Sequence, residues 1–170
     1  MMKRCVHVID DEDAIRRSMH LMLRVLGYEV QTFDSGIAFL AAQTELASGC
    51  VLLDLRMPEI DGLEVQRRLR ASGADHSVIV MSGHGDLGIA VTAMEQGAVA
   101  FLEKPFSRAA LQEVLELIAR GHDSDSIAQQ TGLPAVAIEV SRSRIYAELG
   151  AQTVTEVLRL AFAARRAAPH

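Results

Sequence analysis

The 170 residues leave room for one full domain and one small one, and 49% hydrophobic with 23% charged residues is the balance of an ordinary globular protein. No apolar run approaches the ~20 residues of a membrane span. The apolar stretch behind Lys3 and Arg4 ends at Asp10, too soon for a signal peptide, so a cytoplasmic protein is expected. The net charge of −5 is uneven: residues 1–106 carry all of it, residues 107–170 balance, and residues 141–170 carry +3. That basic excess is smaller than nucleic-acid-binding domains usually show, so it permits DNA binding without establishing it.

Along the chain, short apolar runs alternate with segments of three- and four-residue apolar spacing. Strands are expected at Cys5–Ile9, Glu29–Phe33, Val51–Leu53, Val78–Met81 and Val99–Leu102. Helices are expected between and after them, at Ala14–Leu26, Gly36–Ala47, Leu63–Ala71, Leu87–Gln96 and Ala109–Ala119. Gly27, Gly49, Gly73 and Gly97 close the first four helices or lead into the next strand. Such alternation predicts an α/β fold, a five-stranded parallel sheet covered on both faces. Cys5 and Cys50 each open an apolar run and read as small buried hydrophobes, not as a disulfide or a metal site.

Beyond residue 120 only short helices are expected. Asp123 or Ser124 can cap a helix at Asp125–Thr131, and Gly132-Leu133-Pro134 makes a tight turn into a helix over Ala135–Leu149. Thr153 and Glu156 form a capping box for a last helix to about Arg166. No low-complexity linker separates this all-α region from the sheet.

In an open parallel sheet the ligand lies beyond the carboxyl ends of the strands. There the sequence places Asp10-Asp11-Glu12-Asp13, Asp54, Ser82-Gly83-His84-Gly85 and Lys104-Pro105. Singly, such acids read as helix caps and a Lys-Pro as a surface turn; together they read as one site. Clustered carboxylates repel unless a cation is present, and hard oxygen ligands of this kind suit Mg2+ together with a phosphate. Lys104 supplies a point charge for phosphate oxygens, and the Ser82 hydroxyl can complete the cradle. Asp54 is then a carboxylate nucleophile that forms an aspartyl phosphate. A hydrolase built on Asp54 would want a second acid for water or leaving-group chemistry, which Asp54-Leu-Arg-Met-Pro does not supply; no enzyme role is assigned.

The Asp10-Asp11 pair, Asp54 within Leu-Leu-Asp-Leu-Arg-Met-Pro-Glu-Ile-Asp-Gly, Ser82 and Lys104-Pro105-Phe106 resemble the receiver domain of two-component response regulators. Ser82-Gly-His-Gly-Asp86 and Phe101-Leu-Glu-Lys104-Pro-Phe are similar to its FixJ-like branch. The likeness spans about residues 4–118. It implies a flavodoxin-like (βα)5 fold and phosphoryl transfer from a histidine kinase to Asp54. It also implies Mg2+ held by Asp11, Asp54 and the Arg56 carbonyl, with Asp10 acting through water. Ser82 and Phe101 would be the switch, the hydroxyl turning to the phosphate and the ring turning inward.

Residues 109–166 resemble a shortened LuxR-type helix-turn-helix domain. On this reading residues 1–120 are the receiver and residues 109–170 the output region, sharing the helix 107–119. Leu111 stands where that family's opening helix carries Glu, and Ser141 where its recognition helix carries His. At ~100° per residue, Ile138, Ile145 and Leu149 share one face of Ala135–Leu149, with Arg142 on its flank. The opposite face shows Val140, Ser143 and Arg144, so Val140, Ser143, Arg144 and Arg142 are the candidate DNA contacts. A groove face with a single arginine also suits a protein partner, either a second copy or a signalling protein. Two outputs therefore stay open: transcription control by DNA binding, with a possible homodimer on phosphorylation, or a tail that binds only protein. His84 reads as a loop residue beside the site, and His7 is assigned no role.

Overall fold

The computed structural model describes residues 4–83 and 87–120. The readings at His84 and along the tail helices from Asp125 onward fall outside the described residues. In chain order the elements are β1 (Cys5–Ile9), α1 (Asp13–Val25), β2 (Glu29–Phe33), α2 (Gly36–Ala42), a 3-10 turn (Gln43–Glu45), β3 (Cys50–Asp54), α3 (Gly62–Ala71), β4 (Ser77–Ser82), α4 (Leu87–Glu95), β5 (Ala100–Glu103) and α5 (Arg108–Ala119). All strands are parallel, in the order β2-β1-β3-β4-β5. This is the flavodoxin-like sheet. The chain reverses its direction of winding between β1 and β3, which opens a crevice above their carboxyl ends.

Alternation along each strand builds two cores. Val6, Val8, Cys50, Leu52, Ile79, Met81, Ala100 and Leu102 face α1 and α5, where Met19, Leu23, Leu111, Val114 and Leu115 meet them. Ile9, Val51, Leu53, Val78, Val80 and Phe101 face the other way, against Phe39, Val65, Leu69, Ala90 and Ala93. With both faces covered, β3 is buried at every residue, as a central parallel strand should be. Burial pushes the Cys50 thiol pKa up, in keeping with a small buried hydrophobe. No helix among the described residues is long and apolar enough to cross a membrane.

Several element ends differ from expectation, two of them for reasons that the contacts show. The helix expected over Gly36–Ala47 stops at Ala42 and tightens into the 3-10 turn, and Leu46 is already extended (ψ 142°). The Ala47 carbonyl lies 2.9 Å from Nε2 of His7, so this segment serves a contact from β1 instead of another helical turn. β5 runs Ala100–Glu103, one residue later than the apolar run Val99–Leu102, because Glu103 pairs with Ser82 although it is polar.

His7 therefore has partners that its position alone did not reveal. Its buried ring meets that of His76 edge-on, with centroids 5.4 Å apart, and the Gly49 N–H donates to His76 Nδ1 at 3.3 Å. Burial, and next the neighbouring His7, hold the His76 imidazole below its ordinary 6.5; the Gly49 hydrogen bond and Asp75 oppose this more weakly. A histidine that the fold prefers neutral contributes stability that is complete above its unfolded pKa and is lost as pH falls below it. His76 should therefore contribute a decline in thermal stability between pH ~7 and ~5, opposite in sign to the effect of Asp54, and the gap between wild type and His76→Asn should change over that range. Superimposable pH profiles for the two proteins would rule out His76 as a source.

Candidate functional site

Strand register assembles the site. Ile9 pairs with Leu53, so the next residues, Asp10 and Asp54, stand side by side at the crevice. Asp54 pairs with Met81, one residue before Ser82, and Ser82 pairs with Glu103, one residue before Lys104. The ladder continues past β5, where the Lys104 N–H donates to the Ser82 carbonyl at 2.7 Å. Four strand ends thus deliver Asp10, Asp54, Ser82 and Lys104 to one edge.

Asp10 is fully buried and Asp54 is 6% exposed, while Asp11 is exposed. Ligand oxygens of these three acids all lie within 4.8 Å of one another. Lys104 Nζ bridges two of them, 2.5 Å from Asp10 Oδ2 and 3.1 Å from Asp54 Oδ1. The other Asp10 oxygen accepts the Glu12 N–H at 2.9 Å, which fixes that carboxylate against the following turn. Burial pushes the Asp54 carboxyl up from 3.8 to about 6; Lys104 pulls it down, and Asp10 and Asp11 push it further up. Burial also works against the Lys104 ammonium, yet Asp10 and Asp54 hold its pKa above the ordinary value. One lysine does not balance three carboxylates. The carboxylates gathered here thus carry an excess of negative charge that a divalent cation would relieve, and the all-oxygen donor set fits Mg2+.

Ser82 is buried at the end of β4, its hydroxyl donating weakly to the Gly83 carbonyl at 3.3 Å. Phe101 is buried too, its ring in the core cluster with Val80, Ala90 and Ala93. Arg56 is exposed in the loop after β3, on a groove that Met57, Pro58 and Ile89 also line. The structure therefore brings Asp10, Asp11, Asp54 and Lys104 together, with Ser82 adjoining and Phe101 on the neighbouring strand. Val140, Arg142, Ser143 and Arg144 lie outside the described residues.

Two contributors escaped the sequence reading. Arg16, in the first turns of α1, donates to the Asp10 and Asp11 carbonyls at 2.8 and 2.9 Å. Its spacing from Asp13 looks like any helical ion pair, and nothing in residue type announces a bond to the backbone. Gly62 opens α3 directly against the strand that ends in Asp54. A Cβ there would lie 2.4 Å from the Asp54 carbonyl oxygen and 2.8 Å from the Leu55 Cα. Both are backbone atoms, so no side chain can rotate away. Gly62→Ala is expected to cost about 1–3 kcal/mol, with Asp54 displaced and phosphorylation slowed. An unchanged denaturation midpoint would show that the backbone yields more easily than this contact implies.

Comparison with known proteins agrees with this geometry. The family model described as the response regulator receiver domain matches residues 6–116. The transcriptional regulatory protein FixJ of Azorhizobium caulinodans is 36% identical, with 94% of this chain and 92% of that protein covered. The tetrathionate response regulatory protein TtrR of Salmonella typhimurium is 32% identical over 91% of this chain and 90% of its own length. Among solved structures, a FixJ N-terminal domain superposes with a TM-score of 0.64 at 40% identity, covering 71% of this chain and 94% of that one. Full-length FixJ from B. japonicum gives 0.62 at 30% identity, covering 95% and 97%.

Proposed function

The chain belongs to the response regulator receiver family, and on that premise we propose that a histidine kinase phosphorylates it on Asp54 and that the phosphorylated form controls transcription through the C-terminal region. The observation that carries the first half is the convergence of Asp10, Asp11 and Asp54 within 4.8 Å, with Lys104 reaching two of them. In the transfer, an Asp54 carboxylate oxygen attacks phosphorus while the bond from phosphorus to the kinase's imidazole nitrogen breaks; the imidazole keeps that electron pair. Asp10, Asp11, Asp54 and the Arg56 carbonyl would hold Mg2+, which when bound neutralises charge on the phosphoryl oxygens. Lys104 leaves its bridge between the two acids to pair with a phosphoryl oxygen. The Ser82 hydroxyl exchanges the Gly83 carbonyl for another, and Phe101 adjusts with it as the second part of the switch.

The second half is supported by the alignment with the transcriptional regulatory protein FixJ, which spans 94% of the chain and so runs through the tail. Residues 107–119 serve both regions on this reading. The Leu111, Val114 and Leu115 face of α5 is buried on the sheet, leaving the other faces for the tail. Limited proteolysis should therefore find no labile bond between residues 105 and 120. A cytoplasmic location and dimerisation on phosphorylation go with the same reading.

The test is a gel-shift selection with random duplex DNA, with and without acetyl phosphate. Phosphorylation should increase DNA retention in the wild type and not in Asp54→Asn. Ser82→Ala should accept the phosphoryl group but respond weakly. Phosphorylation-dependent self-association with no DNA retained in either state would replace DNA binding by a protein-binding tail.

A further inference from the structure

Asp10 and Asp11 meet Asp54 only if the loop between β1 and α1 holds its shape. Asp10 is secured by the Glu12 N–H and by Lys104. Asp11 is exposed, and repulsion from the two neighbouring carboxylates favours its swinging outward into water. What restrains it is the backbone. Nη1 of Arg16 donates to two successive carbonyls, Asp10 O at 2.8 Å and Asp11 O at 2.9 Å, and so fixes the peptide planes on both sides of Asp11. Nη2 is held by Asp13 Oδ1 at 3.2 Å, and the Arg16 side chain is only 17% exposed. The guanidinium thus brings a positive charge beside the acid cluster while its bonds to Asp10 and Asp11 go to carbonyls, leaving their carboxylate oxygens available to a cation.

We propose that Arg16 is a positioning residue that preorganises the Asp10-Asp11 loop for divalent-cation binding without touching the cation. This rests on reading Asp10, Asp11 and Asp54 as the cation site. Both carbonyl bonds come from Nη1 while Nη2 is held by Asp13, so the planar guanidinium is braced on two sides; a lysine ammonium keeps the charge but lacks the second, rigidly placed nitrogen.

The experiment is calorimetric titration of the full chain with MgCl2, comparing wild type, Arg16→Lys, Arg16→Gln and, as a ligand control, Asp11→Asn. Loss of a supporting contact of this kind typically weakens metal affinity about 10- to 100-fold, so Arg16→Gln should fall by at least about tenfold and Arg16→Lys by less. The Mg2+ concentration giving half-maximal labelling by acetyl phosphate should rise by the same factor, while the rate at saturating Mg2+ stays near that of the wild type. A purely structural role would instead lower the saturating rate and the metal-free melting temperature. Wild-type Mg2+ affinity in a folded Arg16→Gln would overturn the inference. Should Arg16→Gln fail to fold, Arg16→Lys decides: wild-type affinity there overturns the inference, and weaker affinity supports it. If Asp11→Asn loses affinity while the Arg16 variants do not, the cation site stands and only the role of Arg16 falls. A wild type that binds no Mg2+ would overturn both.

Discussion

Asp54→Asn should abolish phosphoryl incorporation from acetyl phosphate and, in the absence of Mg2+, make the protein more stable. The first effect follows from removing the nucleophilic oxygen. The second follows from the cost of keeping Asp54 ionised. Burial raises its carboxyl from 3.8 to about 6, with Asp10 and Asp11 adding to the rise against Lys104. An acid whose pKa is raised in the fold contributes stability that is present below its unfolded value and is lost as pH rises through the folded one. Ionised Asp54 is therefore a burden at neutral pH, of order 3 kcal/mol at most for a shift of this size. Asparagine keeps the shape and drops the charge, so a gain of about 2 kcal/mol is expected near pH ~7, disappearing near pH ~4. Mg2+ should stabilise the wild type by mass action and the variant much less, closing the gap. Urea denaturation at the two pH values, with and without Mg2+, measures all of this. A variant no more stable than the wild type in metal-free buffer at neutral pH would mean that the acid cluster is already balanced.

Lys104→Met should act in the opposite direction. Lys104 is the ammonium between Asp10, whose side chain is fully buried, and Asp54, whose side chain is 8% exposed. Removing one member of a buried ion pair typically costs about 3–5 kcal/mol, because the partner charge stays behind without compensation. The lysine side chain is 19% exposed, so water softens the loss and about 3 kcal/mol is the expected size. The cost should shrink as pH falls, since protonating Asp54 removes one of the stranded charges, and Mg2+ should restore part of it. Equal urea midpoints for the variant and the wild type without metal would argue that Lys104 is not what holds these carboxylates in place.

The sheet was legible because its inner strands are apolar on both faces and stand out as runs, while the mostly exposed edge strand β2 offers only Val30 and Phe33 as apolar residues. Cys5–Ile9 and Glu29–Phe33 coincide with β1 and β2. Errors fell where a tertiary contact overrides local pattern. Val99 still donates its N–H to the Val78 carbonyl at 2.8 Å, but the paired strand begins at Ala100 and runs on to the polar Glu103 opposite Ser82. The segment after Ala42 keeps helical spacing, yet the chain turns there and the Ala47 carbonyl meets His7, a residue forty positions away. The convergence of Asp10, Asp11, Asp54 and Lys104 at one edge was legible because strand ends are where acids and lysines have no packing role. Arg16 and Gly62 were not, because both act on backbone. One ties down carbonyls that every residue possesses, and the other matters for the side chain it lacks.

Asp54 as the phosphoacceptor is tested most directly by locating the phosphoryl group itself. The wild-type chain is incubated with acetyl phosphate and Mg2+, the acyl phosphate is reduced with borohydride, and the modified peptide is identified by mass. The geometry predicts one modification per chain, at Asp54, absent when Mg2+ is chelated. Modification at Asp10, Asp11 or another residue, or labelling that survives chelation, would contradict it.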